Sequence, residues 1–241
     1  MPKKTLDKIL QSQGFGSRKW CKELVESGEV TIQGNTITSC KESFETEGLL
    51  FTIFEEEWQY REKIYLAINK PSNVECSRKP SHHPGILTIL PEQFTWRDVQ
   101  PVGRLDHDTT GLLLMSDDGA FIHSLSSPKK HVPKLYRATT HDPVTEKLVS
   151  DLINGVKLID EPEPLCATLC QKIGEHTIDI AIEQGKYHQV KRMLAAAGNH
   201  CSALQRIAIG KLTLDSLQLS EGEWKYLDNA ELQLLTEQSA S

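Results

Sequence analysis

The 241-residue sequence predicts an α+β fold in two parts, a module over residues 1–60 and a larger domain over residues 61–241. Three observations lead there. Apolar residues make up 38% and charged residues 25% of the chain, enough to bury a core and too ordinary for wholesale disorder. Helical and strand periodicities are mixed, without the regular βαβα alternation of a doubly wound sheet. A charged segment from Glu55 to Lys63 interrupts the apolar patterning and separates the two parts.

In the first part, Leu6, Ile9 and Leu10 have the i, i+3, i+4 spacing of a short amphipathic helix ending before Gly14. Ser17 stands where it can cap a second helix, with Trp20, Cys21, Leu24 and Val25 on its inner face and Gly28 just past its end. Gln33-Gly34-Asn35 divides Val30–Ile32 from Thr36-Ile37 as a tight hairpin turn would. Leu49, Phe51 and Ile53 alternate as a half-buried strand. Glu55–Glu57 and Arg61–Lys63 bracket Trp58 and Tyr60 and read as a linker whose aromatics dock on a neighbour.

In the second part, Ile64–Ile68 is strand-like and is stopped by Pro71, and Leu112–Met115 reads as a short buried strand. Leu135–Thr139 and Ile178–Ile182 are further strands. Asp142-Pro143 reads as a cap and an N1 proline, opening a helix with Val144, Leu148, Leu152 and Ile153 inward and Gly155 at its end. Another helix runs from about His188 to Ala197 and stops at Gly198.

Composition narrows the function classes. The longest uncharged stretch, Met193–Gln205, is too short and too polar to span a bilayer. No apolar signal region follows the basic start Met1–Lys4, so a cytoplasmic protein without membrane attachment is expected. The six cysteines are scattered through a chain too large to need disulfide staples and are expected to be reduced. Cys166 and Cys170 are the one close pair, with no second pair at metal spacing, so no metal site is expected. No internal repeat or coiled-coil heptad is present, and a monomer is expected.

The formal charge of −6 argues at first against a nucleic-acid partner. Its placement argues otherwise. From Asn35 to Tyr60 only Lys41 opposes Glu42, Glu45, Glu47, Glu55, Glu56 and Glu57. The first 34 residues carry a small basic surplus, with Lys8, Arg18 and Lys19 among the cations. Two later stretches contain no acid: Ser126–Arg137, with Lys129, Lys130, Lys134 and Arg137, and Gly185–Lys211, with Lys186, Lys191, Arg192, Arg206 and Lys211. A single run of this kind is ordinarily a solvated face. Converging runs would suit RNA or DNA phosphates, through counterion release.

The most informative stretch runs from Gly103 to Leu112. On residue types alone it is a turn with two carboxylates and hydroxyls feeding a buried strand, and loops held by a sheet commonly carry catalytic groups. Asp106 and Asp108 fit either paired acids for glycosidic chemistry or an Asx-rich turn. The spelling Gly103-Arg104-Leu105-Asp106-x-x-Thr109-x-Gly111-Leu112 resembles the signature of RNA pseudouridine synthases that act on ribosomal RNA. Leu6–Leu10, Gly14, Ser17-Arg18, Gly28, Val30 and Gly34 resemble the small RNA-binding S4 domain that precedes the catalytic domain in one branch. Asn69-Lys70-Pro71 is similar to that branch's catalytic opening, with Asn73 where a glycine is usual; Asn tolerates positive φ better than most residues. Lys134-Leu135-Tyr136, Tyr187–Met193 and Arg206–Gly210 resemble the remaining motifs in the expected order, with Lys186 where an arginine is common. The spelling around Tyr187–Met193 and Gly198-Asn199-His200 is most similar to the RsuA family, which modifies small-subunit (16S) rRNA.

This resemblance implies an S4-like module followed by a pseudouridine synthase domain with a mixed, mainly antiparallel sheet and flanking helices. It implies an isomerase that detaches uracil from C1′ of its ribose and rejoins it through C5, with no net redox change and no cofactor or metal. Asp106 is then the essential carboxylate, Lys191 its basic partner, and Tyr136 the residue stacked on the target uracil. Arg104, Lys8, Arg18, Lys19, Lys134, Arg192 and Arg206 are the candidate RNA-binding residues. The implied partner is 16S rRNA or an assembling small-subunit particle, at the uridine 516 site; 23S rRNA, or a non-catalytic S4-containing assembly factor, is the alternative. No catalytic role is assigned to His82, His83, His107 or His188; His188 is expected to pack or hydrogen-bond.

Overall fold

Short elements with well-matched ends build the N-terminal region. In the computed structural model, which describes residues 3–127 and 130–235, β1 (Lys3–Thr5) leads into α1 (Leu6–Ser12) and then α2 (Arg18–Glu26). Lys129 of the basic stretch lies outside the described residues. Ser17 Oγ accepts from the Trp20 N–H at 3.3 Å, the expected cap. Leu6, Ile9, Leu10, Cys21, Leu24 and Val25 are buried as the periodicity predicts. Trp20 is not: its ring lies beside Gly16 at the rim and is half exposed.

β2 (Val30–Ile32), β3 (Asn35–Thr36), β4 (Ser43–Glu45), β5 (Leu50–Ile53) and β6 (Glu56–Gln59) follow. They form an antiparallel sheet in the order β3-β2-β5-β6 and a separate β1–β4 pair. The expected linker is therefore a strand: Glu55–Gln59 turns back on β5, and Tyr60 is buried. The turn residues Phe54 and Glu55 take φ of +50° and +70°, a geometry that Asn-Gly normally signals, so the sequence shows no hairpin there.

α3 (Glu92–Trp96) also belongs to this region, although its position in the chain places it in the second part. Phe94 is 1% exposed, and the Arg97 guanidinium donates to Gln13 Oε1 at 3.0 Å and to the Arg61 carbonyl at 2.8 Å. Gly14 makes the approach sterically feasible. At φ +87°, a Cβ there would lie 2.1 Å from the Gln93 carbonyl oxygen. The chain thus divides into Met1–Ile64 with Leu87–Val99, and Tyr65–Ile86 with Gln100–Ser241.

The second unit is one sheet with helices packed on it. Its strands are β7 (Tyr65–Lys70), β8 (Gln100–Val102), β9 (Thr110–Ser116), β10 (Lys134–Thr140), β11 (Leu169–Gly174), β12 (Thr177–Ile182), β13 (Cys201–Ile209), β14 (Leu212–Thr213) and β15 (Trp224–Tyr226). The order is β11-β12-β10-β13-β9-β7-β15, with β14 on β13 and β8 on β9. Every pairing is antiparallel except β13–β9, so the sheet is mixed and mainly antiparallel, as expected. Leu112–Met115 on β9 are all fully buried, because both faces of this central strand are covered.

The helices are α4 (Gly119–Ser126), α5 (Glu146–Asn154), α6 (Gln189–Ala196), α7 (Leu214–Leu217) and α8 (Asn229–Leu234). α5 starts later than Asp142-Pro143 suggests. Thr145 Oγ1 caps it, accepting from Leu148 N–H, while the Asp142 backbone is engaged by the Asn199 amide and the Thr140 hydroxyl. Val144, Leu148 and Leu152 face inward, whereas Ile153 is 45% exposed. No helix among the described residues is long and apolar enough to cross a membrane.

Candidate active site

The parallel β13–β9 contact places the loop Gly103–Thr109. Gly111, paired with Arg206, has φ +98°, and a Cβ on it would meet the Arg206 carbonyl oxygen at 2.3 Å. This close approach explains the second glycine of the motif in physical terms. Arg206 is 2% exposed: Nε donates to the Leu112 carbonyl at 2.7 Å, Nη2 to the Gly103 carbonyl at 3.5 Å and Nη1 to the Tyr136 hydroxyl at 3.5 Å. A guanidinium committed in this way ties the loop to β10, which corrects its expected role as a phosphate ligand.

Lys70, at the end of β7, holds the other side of the loop. Its side chain is fully buried, and its ammonium donates to the carbonyls of Pro71 at 2.8 Å and His107 at 3.0 Å. Burial pulls its pKa below the ordinary lysine value, against the nearby Cys76, Asp108 and Asp106. Asn73, two residues past the proline, has φ +59°, the conformation expected where a glycine is usual.

Asp106 emerges from this loop with its side chain 27% exposed, each carboxylate oxygen facing a different partner. Oδ1 lies 3.2 Å from His188 Nε2, and Oδ2 lies 3.3 Å from Lys191 Nζ. Lys191 also reaches Asp108 Oδ1 at 2.6 Å, so the expected Asp106–Lys191 pair is a three-residue cluster. Burial works against the charge of Lys191, but the Asp108 hydrogen bond and the charges of both aspartates outweigh it and raise its pKa. For Asp108, burial is outweighed in the same way by Lys191, and its pKa is lowered. Asp108 is thus a partner of the lysine.

Both partners of Asp106 come from the start of α6. His188 is its N-cap residue, in the left-handed conformation at φ +46°, and its ring turns to Asp106 and stacks on Tyr187 at 3.8 Å. The expectation of a packing or hydrogen-bonding histidine did not place it on Asp106. The available signal was the three-residue spacing from Lys191, which puts both on one helix face. Lys70 carried no comparable signal, because burial of a lysine is invisible in sequence.

Asp106 opens on a cleft of about 750 Å³ that also carries Arg104, Lys134, Tyr136, Tyr187 and His188. Tyr136, on β10, lines this cleft with its hydroxyl accepting from Arg206 at 3.5 Å. His83 stacks on His107 at 4.5 Å, and Glu75 holds the His82-His83 backbone by accepting both N–H groups. Thr109 Oγ1 is buried without a hydrogen-bond partner among the described residues.

The remaining candidates are dispersed. Arg104 is exposed at the cleft. Lys134 turns inward and donates to the Leu125 carbonyl at 3.1 Å; burial and the like charge of Arg206 pull its pKa down to about 8. Arg192 is bonded to the Tyr187 carbonyl and to Asp160, which ties down the turn before α6 and corrects its expected availability to RNA. Lys8, Arg18 and Lys19 belong to the first unit and are exposed, with Arg18 paired to Asp7 at 3.1 Å and Lys19 near Glu23 at 3.8 Å.

A family model described as RNA pseudouridylate synthase matches residues 64–196, the span that holds Asp106, Tyr136 and Lys191. The chain is 38% identical over 239 residues to the uncharacterized RNA pseudouridine synthase YtzG of Bacillus subtilis (strain 168), covering 98% of this chain and 99% of the relative. It is 37% identical over 232 residues to the ribosomal small subunit pseudouridine synthase A of Vibrio cholerae, covering 94% and 97%. The protein of the same name from Escherichia coli (strain K12) is 34% identical, again covering 94% and 97%. A crystal structure of pseudouridylate synthase superposes with a TM-score of 0.67 at 33% identity, covering 96% of this chain and 99% of that one. Fold and site together define an RNA-modifying isomerase. The chain belongs to the RNA pseudouridine synthase family.

Proposed function

We propose that this protein converts a uridine of 16S rRNA, at the uridine 516 site, to pseudouridine, with Asp106 as the essential carboxylate. The observation that carries the mechanism is the two-sided hold on Asp106 by His188 and Lys191 at the mouth of the cleft. The names of the Vibrio and Escherichia relatives support the substrate class.

In this reading the target base leaves its stack, at a cost of roughly a few kcal/mol, and enters the cleft beside Tyr136. Asp106 attacks C1′ or takes the 2′ proton, its Oδ2 held 3.3 Å from the Lys191 ammonium. The C1′–N1 bond breaks, the uracil turns, and C1′ bonds to C5. C5 then loses its proton to a base and N1 gains one, so electrons and protons balance. Tyr136 stacks on the uracil, with its hydroxyl set by Arg206. The exposed Arg104, and Lys8, Arg18 and Lys19 on an S4-like first unit, grip surrounding RNA through phosphates.

Tritium release from RNA carrying 5-³H-uridine tests the chemistry. The native protein releases tritium, and Asp106→Asn loses at least about a thousandfold in rate; equal rates from both would remove Asp106 from the mechanism. Mapping pseudouridine in rRNA from cells lacking the protein tests the substrate. Loss confined to 23S rRNA would overturn the 16S assignment and leave the chemistry standing.

A further inference from the structure

The acidic stretch Asn35–Tyr60, given no role in the reaction proposed above, forms one wall of a second cleft. This cleft, about 390 Å³, lies wholly within the first unit. Trp20 from α2, Phe54 and Trp58 from the β5–β6 hairpin, and Trp96 from α3 line it, so three of the four tryptophans of the chain meet there. Trp20, Phe54 and Trp96 are 50%, 59% and 57% exposed, unusually open for such large apolar groups.

The charged groups of the cleft are Glu56 and Glu92, and none of its lining residues is basic. Glu92 accepts from the Trp96 indole N–H at 3.3 Å, which sets that ring against the cleft. Glu56 has no hydrogen bond or ion pair through its carboxylate among the described residues. The backbone holds Phe54 outward at φ +50°, a conformation a bulky residue adopts only under local strain.

Aromatic faces flanked by two carboxylates, with no cation among the lining residues, complement a positively charged ligand and repel a phosphate backbone. We propose that this cleft docks a lysine- or arginine-bearing extended peptide segment of another protein. The alkyl stems lie along Trp20 and Trp96, the cationic heads sit over the rings and reach Glu56 and Glu92, and interleaved prolines fit the grooves between aromatics. The site is separate from the isomerase cleft, so it stands or falls independently of the substrate assignment.

Tryptophan fluorescence of the full-length protein provides the readout, with a decapeptide of alternating lysine and proline as probe. The controls are a glutamate–proline decapeptide of equal length and a dodecameric oligouridylate. We expect saturable quenching by the basic peptide with a Kd on the order of 100 µM, weakening as salt rises. Glu56→Gln with Glu92→Gln, and separately Trp96→Ala, should each weaken it at least about fivefold. These side chains are exposed, so the fold survives, and tritium release from free RNA should not change. No saturation below about 1 mM, equal affinity in native and variant proteins, or tighter binding of oligouridylate that Trp96→Ala abolishes would each overturn the proposal, the last in favour of an RNA base.

Discussion

His188 and Lys191 act on one carboxylate from a single turn of helix, and their contributions are separable. Lys191 supplies charge beside Oδ2, whereas His188 sets the direction of Oδ1 through a ring stacked on Tyr187. His188→Ala is therefore expected to lower kcat about tenfold as the orientation of Asp106 relaxes, with a smaller rise in KM, about twofold, from loss of a ring that lines the cleft. His188→Gln retains a donor and should recover most of the rate; a parallel loss in both variants would point to folding alone. Single-turnover tritium release measures the split. Lys134 offers a pH test. Its pKa in the fold is about 8 against an ordinary 10.5, so between those values the unfolded chain holds a proton the folded chain has released. Its contribution to unfolding free energy therefore rises with pH across that window. The urea midpoint of the native protein minus that of Lys134→Met should increase between about pH 7 and 9.5; an unchanged difference would mean the lysine titrates normally.

At the scale of elements, the sequence was legible wherever one short-range signal decided the outcome. Ser17 capped its helix, the Ile178–Ile182 alternation formed a strand, Gly198 at φ +86° followed α6, and Asn73 took the positive φ its chemistry allows. It misled where a distant contact outvoted that signal. Asp142 lost its capping role to Thr145, its own backbone being held by the distant Asn199, and the Glu55–Glu57 run became the end of a hairpin without a turn residue to announce it. Acid-free stretches were likewise not acid-free in space. Lys186 meets Glu161 at 2.9 Å and Arg192 meets Asp160, acids lying 25 and 32 residues away in sequence.

At the scale of the whole molecule, the 61–241 boundary missed that Leu87–Val99 is part of the first unit. A chain beginning at Tyr65 would keep Arg97 but lose Gln13 and Arg61, whose oxygens accept from its guanidinium. Trypsin should therefore cut such a chain rapidly after Arg97 while leaving that bond intact in the full-length protein; equal protection would show that Leu87–Val99 orders itself without the first 64 residues. The global charge of −6 carries little information beside this, because the acids of Asn35–Tyr60 and the cluster around Asp106 occupy different units.

The motif spelling determined the family, the reactive aspartate as a candidate and most strands and helices, because those depend on neighbours within a few residues. The tertiary structure alone decided that Lys70 braces the Asp106 loop and that Arg206 does so from a buried position. It alone brought His188 to Asp106 and gathered three tryptophans around an acidic cleft. Burial and pairing depend on which distant segments share a volume, and no residue type carries that information by itself.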